Sequence, residues 1–86
     1  MDGASEGEGG WPVEGPEGGE RLRSLAHAPD VADEELRVWL EAIERHRGDT
    51  HGGAQRLALG HAELIVLVAH VRDRGRRAGI VVDHQG

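Results

Sequence analysis

The chain has no cysteine, phenylalanine or tyrosine, all ten of its basic residues are arginine, and its only aromatics besides histidine are two tryptophans. Without cysteine there is neither a disulfide framework nor a thiolate zinc site. A fold of 86 residues must then rest on apolar burial or on a partner subunit. Without lysine there is no side-chain Schiff-base or phosphate-loop chemistry. The hydroxyls are Ser5, Ser24 and Thr50, of which only Thr50 lies near a histidine, and nothing resembles a nucleophile elbow or a triad. The sequence therefore reads as noncatalytic and free of cofactors. The longest apolar run, Leu64 to Ala69, is six residues, far short of the ~20 that span a bilayer. The opening Met-Asp-Gly-Ala-Ser-Glu has neither the basic start nor the apolar stretch of a secretory signal, which predicts a cytoplasmic location. The bias toward Arg, Gly, Ala and Val is what a GC-rich coding sequence produces and points to a bacterium.

Charge divides what is present. Asp2, Glu6, Glu8, Glu14, Glu17 and Glu20 fall among the first 20 residues with no base, so the whole net charge of −6 lies there, and residues 21–86 balance ten acids with ten arginines. The same 20 residues hold seven of the 14 glycines. Too little apolar surface is available there to offset the entropy of ordering, which predicts a disordered acidic tail over 1–19, dispensable for folding, and a small domain over 20–86.

Within that domain the apolar spacing predicts helices. Leu22, Leu25 and Ala26 give a short one over 20–27. A second, over 31–47, has Asp30 as its cap, acidic Asp33, Glu34 and Glu35 in the first turn, Arg45, His46 and Arg47 in the last, and Gly48 beyond. Ala54, Leu57, His61, Leu64, Val68 and Val71 recur three and four apart, predicting a third helix over 54–74, closed by Gly75 and followed by an extended tail over 79–84. A β-hairpin pairing 63–71 with 79–84 is the competing reading. The fold class is thus mostly α, a small helical hairpin or three-helix domain. Because the third helix is apolar on every side and so small a core supplies only ~3 to 5 kcal/mol, oligomerisation is expected, through Trp39, Leu40, Ile43, Leu64, Ile65, Val68 and Val71.

Six histidines raise the question of metal. His61 and His70 are nine apart, on opposite faces of one helix; His46 and His51 flank a turn and could pair, with Asp49 between them as an oxygen ligand; no zinc spacing such as His-Glu-x-x-His occurs, so no metal site is assigned. His61, on the seam between Leu57 and Leu64, is a candidate pH switch. Arg72, Arg74, Arg76 and Arg77 form the one basic cluster, a candidate anion contact.

Residues Glu41–Leu64, with Gly48-Asp49 ahead of Ala54, then Leu57, Leu59 and Leu64, resemble a Fis-type helix-turn-helix. The resemblance implies a short helix, a turn near Ala58 to His61, Ala54 as the small residue between helices, the three leucines inside, and a DNA-recognition helix. On that template Ile65 and Val66 face the groove, where base edges are read by Arg, Lys, Asn or Gln. The leading functional expectation is therefore a noncatalytic interaction or accessory subunit partnered by itself or by a larger protein. A DNA-binding regulator using the Arg cluster is the alternative, and a peptide precursor recognised through helix 31–47 the third reading.

Overall fold

Four helices account for most of residues 10–80, the part of the chain that the computed structural model describes. Among these residues there is no strand. Residues 1–9 of the expected tail and 81–84 of the expected extended segment lie outside them.

The first helix, α1, runs Pro16–His27, four residues earlier than the spacing of its leucines suggests. Proline at the first helical position loses no hydrogen bond and already has the helical φ. Gly15 ahead of it sits at φ 82°, a left-handed conformation that favours glycine, and its N–H donates to the Arg56 carbonyl at 2.6 Å. Gly18, Gly19, Leu22 and Leu25 of α1 are buried. The expectation of a disordered tail through residue 19 is overturned for residues 10–19: Trp11 is 8% exposed and belongs to the core. An indole buries 150 to 250 Å², enough to hold down a short segment whose remaining composition is unfavourable.

The second helix, α2, spans Asp33–Arg45. Its acidic first turn and buried stripe of Leu36, Trp39, Leu40 and Ile43 follow the sequence pattern, but Asp30 is not the cap. Ala32 holds that position without a side-chain hydrogen bond, and the carboxylates of Asp33, Glu34 and Glu35 complement the N-terminal end of the helix dipole instead.

The long helix expected over 54–74 is two helices. Asp49 accepts from the Gly52 N–H at 3.1 Å and starts α3, Thr50–Arg56; after residues 57–60, α4 runs His61–Arg77 with Gly60 as its N-cap. Both ends close in the same way. After α3, Ala58 N–H donates to Gln55 O and Leu59 N–H to Ala54 O; after α4, Gly79 N–H donates to Arg76 O and Ile80 N–H to Gly75 O. These are paired Schellman closures, each with a left-handed residue and an apolar side chain turned back onto the core. The left-handed residue is Gly79 at φ 78° in one and Ala58 at φ 54° in the other. Ala58 is exposed and pays the Cβ penalty for no packing. Ala58→Gly should therefore raise stability by about 1 kcal/mol and Gly79→Ala lower it by a similar amount, read as opposite shifts of the urea midpoint.

Helix α4 is the hub, packed against each of the other three helices, and it buries Leu64, Leu67, Val71 and Gly75. It continues through Gly75 to Arg77, and a Cβ at 75 would run into the Leu40 side chain: the glycine marks a close approach of helices and not a helix end. As residues 61–77 are helical, the hairpin reading of 63–71 is excluded. Leu57 and Leu59, in the connection, are both buried and lie against α1 at Gly18 and Gly19.

Candidate interaction face

The packing of the other three helices on α4 decides which of the singled-out residues are covered. Trp39, Leu40, Ile43, Leu64 and Val71, expected at an association surface, are in the core of the single chain. Val68 is partly buried against them. Ile65 at 48% exposed and its neighbour Val66 at 53% are the large apolar residues of α4 that face outward, with Ala62 and Ala69, also exposed, on the same side. The reading of α4 as apolar all round is thus half met within the chain: α1, α2 and α3 cover one side, and Ile65 and Val66 are left over.

Beside them is a cleft of about 230 Å³ between α2 and α4, walled by Ile43, His46, Arg47, Ile65, Val68, Ala69 and Arg72, with Trp11 and Leu64 also lining it. Trp11 stacks on His46 with ring centroids 4.9 Å apart and meets Trp39 at 6.0 Å, tilted by 38°. Trp11 Nε1 and His46 Nε2 are buried without a partner, so the indole is held by its ring and not by a hydrogen bond.

His61 leaves the apolar seam and stands exposed at the start of α4. Its ring lies 4.2 Å from that of His51, nearly parallel at 5°, and its Nε2 is 2.8 Å from Thr50 Oγ1. The pairing of His46 with His51 does not occur, since His46 turns to Trp11 while His51 turns to His61. His27 and His70 also meet, at 5.5 Å. Among the described residues no three His, Asp or Glu side chains converge on a common point for an ion.

The Arg cluster is occupied within the chain. Arg74 donates to the carbonyls of Leu25, Ala28 and Pro29 and so serves the exposed end of α1. Arg72 pairs with Glu44 at 3.1 Å, while Arg76 and Arg77 both reach Asp73, at 3.5 and 3.1 Å. Across α1 and α4, Arg23 donates to Glu63 from Nε at 2.6 Å and from Nη2 at 3.1 Å. These hydrogen bonds hold the Glu63 carboxyl below the ordinary carboxylate range. A depressed carboxylate stabilises the fold at neutral pH and loses that contribution only as pH falls through its folded value; with both groups exposed, screening keeps the effect small.

The residues that the helix-turn-helix resemblance places inside, Ala54, Leu57, Leu59 and Leu64, are all buried, and the connection between α3 and α4 falls at 57–60. Searches of protein-family models, curated proteins and solved structures find no match to this chain. No helix among the described residues is long and apolar enough to cross a membrane.

Proposed function

We propose that this chain is a noncatalytic interaction or accessory subunit that associates with a second protein, another copy of itself or a larger chain, through the outward face of α4. The observation that carries this reading is the exposure of Ile65 and Val66, 48% and 53%, beside an open cleft whose apolar lining of Trp11, Ile43, Leu64 and Val68 is rimmed by His46, Arg47, Asp49, Thr50 and Arg72. With 14 buried apolar residues among those described, leaving two large aliphatic side chains half in water forgoes about half of the ~1.5 to 3 kcal/mol that full burial of each contributes, which a partner recovers.

Light scattering of the purified chain, with Ile65→Asp and Val66→Asp alongside, tests it. The variants should keep the far-ultraviolet helix signal, because neither side chain is in the core, and should lose whatever association the parent shows. A parent that is monomeric at high concentration removes the self-association arm and leaves the larger partner; variants that associate as well as the parent remove the face.

A second reading, a DNA-binding regulator, is favoured by one observation, the α3–turn–α4 unit with its leucines inside. Against it, the outward residues of the first half of α4, Ala62, Ile65, Val66 and Ala69, bear no base-reading side chain, and the exposed arginines of its last turns pair with Glu44 and Asp73. Titration of duplex DNA at rising salt distinguishes the two: phosphate contacts give a log–log slope near −0.9 for each neutralised phosphate, whereas the interaction reading expects no binding at ~0.15 M salt, where exposed charges more than ~8 Å apart are largely screened.

A further inference from the structure

We propose that His51 and His61 form a two-imidazole site for a late first-row transition-metal ion, a property separate from the association face. His51 stands in the first turn of α3 and His61 opens α4, so the two ligands come from either side of the 57–60 connection. Their rings approach to 4.2 Å and are nearly parallel.

The contact that turns proximity into a site is the one from Thr50. Its Oγ1 lies 2.8 Å from His61 Nε2; in the tautomer in which Nε2 donates to that hydroxyl, the Nδ1 lone pair of His61 is free, and this is the tautomer the site requires. A ligating imidazole characteristically has its other nitrogen engaged in this way, which fixes both tautomer and ring orientation. Thr50 is itself held at the start of α3, where Asp49 caps the Gly52 N–H.

The stacked rings are the metal-free arrangement, since lone pairs in parallel planes do not converge on one point. Both side chains are exposed, so the rings are free to turn out of the parallel arrangement, and binding requires that they do. With two protein nitrogens, water completes the coordination sphere. Neutral nitrogen donors without thiolate favour Cu²⁺ over Ni²⁺ and Zn²⁺ and discriminate against Mg²⁺ and Ca²⁺. Metal bound here would fasten α3 to α4 across the strained Ala58 connection.

Calorimetric titration of the full chain with Cu²⁺ and with Zn²⁺ at neutral pH tests the site. One ion per chain is expected, with Cu²⁺ tighter, no response to Mg²⁺, and a thermal midpoint that rises with metal. His51→Ala and His61→Ala should each abolish the saturable phase and the rise in midpoint. Thr50→Val, which keeps both ligands, should weaken binding by about tenfold, and nitrogen-detected spectra should show the proton of His61 on Nε2 before metal and a shift of Nδ1 after it. A His27→Ala, His70→Ala double variant should bind as the parent does. The proposal is overturned if the parent shows no saturable binding, if either single histidine variant binds unchanged, or if the loss follows His27 and His70 instead.

Discussion

Trp11→Ala is expected to cost about 3 kcal/mol or more, the usual range for emptying a buried tryptophan site. The core of so small a domain supplies only ~3 to 5 kcal/mol in total, so the variant should be largely unfolded at room temperature in urea titrations that leave the parent folded. The contrast with a disposable acidic tail is complete: a tail predicts no change. Trp11→Phe separates the ring from the polar atom. The indole N–H is buried without a partner, and an unmet donor costs ~1 to 3 kcal/mol; phenylalanine removes that penalty while keeping most of the contact with Trp39 and His46. Its loss should be a small fraction of that for alanine. If alanine and phenylalanine destabilise equally, the hydrogen-bonding nitrogen matters and the packing account is wrong.

Gly19→Ala should destabilise although alanine is the better helix former. Propensity alone favours the change by ~1 kcal/mol. In this fold, however, the new Cβ would strike the backbone carbonyl of Leu57 and the side chain of Leu59, and at Gly18 it would strike the carbonyl of Val13. Backbone atoms cannot swing aside as the end of a flexible side chain can, so α1 must shift away from the 57–60 connection. Overpacking of this kind costs ~1 to 3 kcal/mol, and the double change Gly18→Ala, Gly19→Ala should exceed either alone. A stabilised Gly19→Ala would show that α1 does not approach the connection this closely.

The difference between these glycines and those at Gly15 or Gly79 explains much of what the sequence does and does not reveal. In sequence all of them read as loop-formers, whereas Gly18, Gly19 and Gly75 are helical glycines retained for close approach, a property of the neighbouring element and not of the local chain. The second helix was legible because an acidic first turn, a basic last turn and a four-residue stripe agreed, although its cap lies two residues later than expected. The division of residues 54–74 was not, because Leu57 and Leu64, seven apart, continue the helical rhythm across the turn by coincidence, and an alanine in place of glycine at 58 hides the closure. Gly60 was the available signal. The break does not alter the register of Leu64 and Val71 on α4; like Trp39, Leu40 and Ile43 they go to the core of the single chain because the other helices cover that face, while His61, now the first residue of α4, stands exposed. Ile65 alone of the seven expected association residues is both apolar and exposed. The resemblance of Glu41–Leu64 to a helix-turn-helix places the turn where the spacing analysis does not, since a motif encodes a break that periodicity averages over.

The two indoles, 6.0 Å apart, also give the molecule an internal optical gauge. Trp39 is 1% exposed and sits in the middle of α2, whereas Trp11 is at the start of the described chain. If residues 10–15 detach while the helices persist, exciton coupling in the near-ultraviolet disappears and one emission component moves to longer wavelength, with the helix signal unchanged. In a single cooperative transition all three signals move together. An unlabelled sample can therefore distinguish the departure of the N-terminal segment from the melting of the domain.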